Sequence, residues 1–322
     1  MKKKRKHICV AMPCYNEEEN VVPLTEAIID IFKKELPAYK FTIQYADNCS
    51  TDNTRMLLRR LCAEYPFVRA IFNARNFRLT SGFNNLLNSN GDAVIVMVSD
   101  FQDPVENIPR YIHEWEKGSK IVCGIKKASH ENKIMWFART MYYKFIKKFS
   151  DVEQIEHFTG AGLYDYEFVE ILKKLNDPMP SFRGIVAELG YKISFIDFVQ
   201  PKRRGGKSSQ NFMSLFDLAI RNIMTYTKVI PRFSTFVGAI CCTGSFIAAL
   251  IYLVRKLANW HAIPFGITPI ILGVFFFGGI ELFILGLFGE YLMNINTRLI
   301  NRPLVIEEER INFSEDKRYK SR

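Results

Sequence analysis

Short apolar runs alternate with longer amphipathic stretches through the first two hundred residues of this chain. HICVAM (7–12), FTIQYA (41–46), VRAIF (68–72), AVIVMVS (93–99) and KIVCGI (120–125) read as strands. AVIVMVS is apolar throughout, as a central strand buried on both faces requires. Between the first two runs, Asn16 is placed to cap a helix whose first turn is Glu17, Glu18 and Glu19. Val21, Leu24, Ile28 and Ile31 share one face of it. Ser50 or Asp52 would start the next helix. Alternating strands and helices predict an α/β fold built on a doubly wound, mostly parallel sheet, with ligands bound beyond the carboxyl ends of its strands.

The pattern changes in the last third. Residues 234–254 and 267–293 are each apolar for long enough to cross a bilayer, which takes about 20 residues. The alternative is a buried hairpin of a large core. Residues 211–230 place Phe212, Leu215, Phe216, Ala219 and Ile223 at helical spacing among Asp217, Arg221 and Lys228. That suits an amphipathic helix in the membrane interface, or equally a domain helix packed on the core. The expected division is a cytoplasmic catalytic domain over 1–210, an amphipathic juxtamembrane helix over 211–230, two transmembrane helices within 231–297 and a cytoplasmic tail over 298–322. Arg298 and Arg302 agree with this orientation; Arg255 and Lys256 oppose it and would have to snorkel. Glu281 and Glu290 in the second span need a partner helix, another subunit or the interface. Glycines in both spans permit close packing, within one hairpin or in a homo-oligomer.

Composition narrows the function classes. The net charge is +11, with basic blocks at Lys2–Lys6 and Lys202–Lys207. Beside two apolar spans, that charge points to the anionic cytoplasmic leaflet and membrane lipid; no nucleic-acid partner is expected. Seven cysteines without CxxC spacing argue against a disulfide framework or a zinc site, and no secretory signal precedes Pro13.

The chemistry sits at strand ends. Asp100 and Asp103 lie in SDFQDP, just after the fourth apolar run. Two carboxylates there suit Mg²⁺ or Mn²⁺, whose other positions phosphate and water fill; they are equally a common helix-capping turn. A glycine-containing basic loop follows in PKRRGGKSS (201–209), where Arg203 and Lys207 would meet phosphate or simply form a membrane-surface patch.

Together AMPCYNEEENV (11–21), YADNCSTDNT (45–54), RNF (75–77) and GDAVIVMVSDFQDP (91–104) resemble the family 2 glycosyltransferases of the GT-A fold. TGAGLYD (159–165), SFRGIVAELGY (181–191), PKRRGGKSS and GEYL…NRPL (289–304) resemble the polyprenyl-phosphate glycosyltransferases within them, a group that includes dolichyl-phosphate mannose synthases and bactoprenol glucosyltransferases. The resemblance implies a metal-dependent enzyme of the multi-pass type, with its catalytic domain on the cytoplasmic face of a bacterial inner membrane. It would move a sugar from a nucleotide sugar, a UDP-sugar being the expected donor, to a polyprenyl-phosphate acceptor. The resemblance further implies that Pro13, Tyr15 and Glu17 line the nucleotide pocket and that Asp47 contacts the base. Asp100 and Asp103 would hold the metal with Gln102 beside them. Arg203 and Lys207 would meet the diphosphate or the lipid phosphate, and Arg183 the acceptor phosphate.

The chain departs from the pattern at Val98, in place of the first aspartate of DxD, and at Asn48-Cys49, in place of Asp-Gly. Ala161 and Ser209 replace a frequent aspartate and lysine. These departures keep two other readings open: the same fold acting on a different glycan or lipid-linked acceptor, and a non-catalytic nucleotide-binding membrane protein.

Overall fold

The structure is a computed structural model, which describes residues 5–128, 157–175, 181–201, 267–299 and 302–313, with isolated positions elsewhere. The chain divides into two compact units: residues 1–147, 152–211 and 301–322 in one, 148–151 and 212–300 in the other.

The first unit is an eight-stranded sheet. In chain order its elements are β1 (His7–Cys14), α1 (Val21–Lys34), β2 (Lys40–Asp47), α2 (Thr54–Glu64), β3 (Val68–Asn73), α3 (Leu79–Leu87), β4 (Ala93–Val96) and α4 (Asn107–Glu116). There follow β5 (Ile121–Ala128), β6 (Phe158–Asp165), α5 (Tyr166–Leu175), α6 (Phe182–Glu188), β7 (Ile193–Val199) and, at the far end of the chain, β8 (Glu307–Ile311). The strand order is β7-β5-β6-β4-β1-β2-β3-β8. β6 and β8 run against the others, so the sheet is mixed but mostly parallel, in keeping with what the sequence resemblance implies.

Period-two alternation builds two cores from the same strands. Ile8, Val10 and Met12 of β1 face α1, α2 and α4, whereas Cys9 and Ala11 face α3, α5 and α6. Both faces are apolar because both are covered by helices. On α1, Val21, Leu24, Ile28 and Ile31 are all buried as the spacing predicts, each such side chain contributing about 1.5–3 kcal/mol of transfer free energy.

Several local expectations are revised. α1 begins at Val21, not at Glu17: a turn in which the Asn20 and Val21 amides donate to the Glu17 carbonyl (2.9 and 3.0 Å) comes first. Asn16 is therefore not the cap; it lies at φ 54° and its side chain reaches across to the next loop. β4 stops at Val96, because residues 97–103 curl onto their own carboxylates.

Three strands, β6, β7 and β8, were not anticipated. β6 carries Gly160 and Gly162, which weaken any strand signal. The close approach of Val122 demands the second: a Cβ at Gly162 would stand 2.1 Å from the Val122 carbonyl oxygen. β8 reads EEERI and has no apolar alternation, so the segment expected as a tail instead closes the β3 edge of the sheet.

In the second unit, the second expected span falls within α7 (Ile267–Leu299), a 33-residue helix. Many of its side chains, and most of residues 234–254, lie outside the described residues, as does all of 211–230. Among the described residues no helix is long and apolar enough to cross a membrane. Those described in the two apolar runs include Phe236, Ile240, Ile247, Leu250 and Val254, then Ile270, Val274, Leu285, Phe288 and Leu292, all exposed.

Candidate active site

Register places the carboxyl ends of β1, β2, β3 and β4 side by side. Cys14 pairs with Asp47, Asp47 with Phe72, and Ala11 with Val96. The same edge receives the start of the reversed strand β6 and the ends of β5 and β7. All the loops that carry candidate chemistry leave the sheet here.

On one side, three loops are laced together. The Asn16 amide donates to Ser50 Oγ (2.9 Å), the Thr51 amide to Asn16 Oδ1 (2.8 Å), and the Glu17 amide to Thr54 Oγ1 (2.9 Å). Glu18 Oε2 accepts from Asn53 Nδ2 (2.8 Å). Asn48 joins the third loop: its Nδ2 donates to Asn76 Oδ1 (2.9 Å) and its Oδ1 accepts from the Phe77 amide (2.8 Å). Asparagine supplies a donor and an acceptor together, which an aspartate at that position would not. Cys49 then turns at φ 64°, a conformation that favours glycine.

Asp47 ends β2 with its side chain fully buried. The Ser50 amide donates to both of its oxygens (3.3 and 3.2 Å), and Arg55 Nε stands 3.0 Å from Oδ2. Burial still outweighs these partners and holds its pKa above the usual carboxylate value. Glu17 is also buried, its Oε2 accepting from Asn20 Nδ2 at 2.6 Å. Tyr15 and Pro13 are half-buried at the end of β1.

On the other side, residues 97–103 form a knot around two carboxylates. The Val98 amide donates to Asp103 Oδ2 (3.0 Å), the Gln102 amide to Asp100 Oδ1 (3.1 Å), and Ser99 Oγ to the Pro13 carbonyl (2.9 Å). Phe101 sits at φ 60° between the two acids. Burial, with Asp100 nearby as a like charge, pushes Asp103 up to about 7 against the Val98 bond, which pulls it down. Val98 itself is exposed beside them.

Two further contacts bring distant segments in. Gln200 Nε2 donates to Gln102 Oε1 (2.9 Å), so the chain leaving β7 toward residues 201–209 starts at the acidic loop. Arg183, at the start of α6, donates to the Thr159 carbonyl (3.1 Å) beside buried Ala161. Arg203 and Lys207 lie outside the described residues.

The structure thus gathers Pro13, Tyr15, Glu17, Asp47, Asp100, Gln102 and Asp103 at one sheet edge and sets Arg183 at the mouth of β6. Sequence reading missed Arg55, Ser99 and Gln200. Arg55 had a signal: a cation in the first turn of α2 opposes the helix dipole and implies a specific acidic partner. Among the described residues no group of three or more His, Cys, Asp or Glu side chains forms a metal cage. Two oxygen ligands still fit a hard divalent cation whose remaining positions are filled by phosphate and water.

The profile of Glycosyl transferase family 2 matches residues 9–170, half of the chain. The SfII prophage-derived bactoprenol glucosyl transferase of Shigella flexneri is 28% identical over 301 residues, covering 93% of this chain and 96% of that one. A prophage bactoprenol glucosyl transferase homolog of Escherichia coli is 26% identical, covering 93% and 97%. Among solved structures, glucosyl-3-phosphoglycerate synthase of Mycobacterium tuberculosis is similar with a TM-score of 0.46 and 16% identity, covering 68% of this chain and 77% of that one.

Proposed function

The chain belongs to glycosyl transferase family 2, and from that premise we propose that it moves a sugar from a nucleotide sugar, a UDP-sugar foremost, to a polyprenyl phosphate at the cytoplasmic face of a bacterial inner membrane. The observation that carries this reading is the pair of buried acids Asp100 and Asp103, in a loop that Ser99 bonds to the end of β1, at the sheet end where the laced loops of β1 and β2 emerge. Similarity over nearly the whole chain to proteins named for bactoprenol supports the acceptor.

The chain's own residues divide the work. The 15–18 and 48–53 loops, locked to each other, form a rigid wall for the nucleotide, with Asp47 toward its base and Tyr15 and Glu17 beside it. Asp100 is the leading ligand for Mg²⁺ or Mn²⁺, which when bound would supply positive charge to the departing diphosphate. Asp103, committed to the Val98 amide, keeps Asp100 in register. Gln102 anchors the start of the basic loop, from which Arg203 and Lys207 would pair with phosphate.

An oxygen of the lipid phosphate attacks the anomeric carbon as the bond from that carbon to the nucleoside diphosphate breaks, giving inversion. The second pKa of a phosphate monoester is near ~6, so this nucleophile already carries its charge at neutral pH. Ala161 in place of an aspartate is therefore compatible with turnover.

The membrane reading draws support from β8. Because residues 307–311 hydrogen-bond into the same sheet as β1–β7, both ends of the 212–300 unit lie on one side of any bilayer it crosses. Crossings must then be even in number, as two spans are. Exposed apolar side chains at helical spacing in both runs point the same way.

The test uses purified full-length protein in detergent with Mn²⁺, polyprenyl phosphate and a panel of labelled nucleotide sugars, following label into the organic phase. Transfer from one donor, lost in Asp100→Asn, is the expected result. No transfer from any donor by protein that binds nucleotide would overturn the reading.

A further inference from the structure

Arg55 is a bridge. Its Nε meets Asp47 Oδ2 at 3.0 Å, at the expected base-binding position, while its Nη2 meets Glu308 Oε2 at 2.7 Å on β8. Its guanidinium carbon lies 5.2 Å from the centre of the Phe72 ring. The guanidinium is thus hydrogen-bonded to Glu308 at one end, lies in ion-pair range of Asp47 at the other, where its Nε–H makes no aligned hydrogen bond, and has an aromatic ring beside it.

β8 is a strand with little of its own to hold it in place. Its sequence is nearly all charged, and it docks through side chains as much as through its ladder with β3. Glu309 pairs with Arg59 (2.6 Å), Glu307 accepts from Asn84 Nδ2 (2.9 Å), and Asn312 Nδ2 donates to the Cys62 and Val68 carbonyls (2.6 and 2.8 Å). Of these contacts only that of Glu308 continues, through Arg55, into the candidate site. Reversal of β8 puts its Glu307–Glu308 end at the edge of the sheet where the parallel strands β1–β4 stop.

We propose that β8 is part of the nucleotide pocket: Glu308 orients Arg55, and Arg55 orients the Asp47 carboxylate against the base of the bound nucleoside diphosphate. Both are positioning residues, acting through Asp47, and the inference rests on the reading of Asp47 given under the proposed function. A segment some 250 residues away in sequence, following the apolar helix α7, thereby sets how well the donor is held. Without Glu308 the guanidinium keeps one acid and gains rotational freedom, and Asp47, still held by the Ser50 amide, loses the fixed positive charge beside Oδ2. Arg59–Glu309 is the internal control, since it pins the same strand to the same helix without touching Asp47.

The experiment compares full-length Glu308→Gln, Glu309→Gln and Arg55→Lys in detergent by UDP titration calorimetry with Mn²⁺ and by donor kinetics. Glu308→Gln is expected to raise the UDP Kd and the donor KM about two- to fivefold, the scale of a partly exposed ion pair, with kcat within about twofold. Glu309→Gln should lower the thermal midpoint equally and leave Kd and KM in place. Arg55→Lys, which keeps the charge and loses the fork, should raise Kd more than Glu308→Gln does. Equal shifts of Kd in the two glutamine variants, or none in either, would reduce β8 to a structural strap and overturn the inference. A wild-type protein that binds no UDP would overturn it together with the reading of Asp47; UDP binding with the two variants alike would overturn the inference alone.

Discussion

At the end of the sheet where β1, β2, β3 and β4 stop, the chain turns on Asn16, Cys49, Arg78 and Phe101, all at positive φ, and His157 does the same just before β6. At the opposite end, the entries to β4, β5 and β7 turn on Gly91, Gly118 and Gly190. Among the described residues, Asn312 after β8 is the exception there. Gly91 has a local reason, for a Cβ would come within 2.8 Å of the His7 carbonyl oxygen. One end of the sheet makes its tight turns with the residue suited to them, and the other holds side chains in a conformation that costs roughly 1–2 kcal/mol for most of them. Strain of this kind persists only where surroundings enforce it, and here the enforcement is visible: Asn16 is bonded to Ser50 and Thr51, Phe101 sits between Asp100 and Asp103. The same contacts hold the loops that carry the candidate chemistry.

If that contrast reflects function, damage at the two ends should differ in kind. The largest effect is expected from Asp100→Asn, which should lower turnover about 100-fold or more, the scale of losing one preorganised electrostatic group, with an unchanged thermal midpoint. Rates in the labelled-transfer assay, read beside a melting curve, check it. A change at the glycine end, Asp92→Ala, removes the acceptor of the His7 amide (2.7 Å) and should leave turnover within about twofold while costing about 1 kcal/mol of stability.

Asn48→Ala comes next. It strands the Phe77 amide and takes one of two acceptors from Asn73 Nδ2, which keeps Ser81 Oγ, and should cost about 1–2 kcal/mol and loosen nucleotide binding. Denaturant melts with and without UDP measure both parts. Equal destabilisation with unaltered UDP affinity would detach the lacing from the site.

Asp103 gives a pH signature. Its folded pKa, about 7, lies above the unfolded carboxylate value, so in that range the folded protein binds the extra proton. Its contribution is fully present below about pH 4 and is lost as pH rises through about 7. Metal-free wild-type protein should lose stability from this group across that window, and Asp103→Asn should flatten the slope. Urea melts between these pH values would show no difference if Asp103 ionises normally. The smallest effect is Cys49→Gly, expected to relieve φ 64° and raise stability by less than about 1 kcal/mol without altering turnover.

The contrast also explains what could be read from the sequence. Strands covered on both faces announce themselves by apolar runs, and β1, β2, β3 and β5 stand where those runs are. Asp100 and Asp103 of the candidate site were singled out because a short polar segment after such a run is where ligands bind in this kind of fold. The pairing of Arg55 with Glu308 was not, since an ion pair between residues so far apart exists only once β8 has paired with β3. β8 itself could not be seen, because an edge strand stabilised by charge lacks the alternation that marks a buried one.

The central claim is that one end of this sheet takes the nucleotide sugar. Amide hydrogen exchange of the full-length protein, with and without UDP-sugar and Mn²⁺, tests it directly. The account predicts protection confined to the loops at 13–18, 47–53 and 98–103, with the turns around Gly91, Gly118 and Gly190 unchanged. Protection at those glycine turns, or none at 98–103 under conditions where nucleotide is bound, would contradict it.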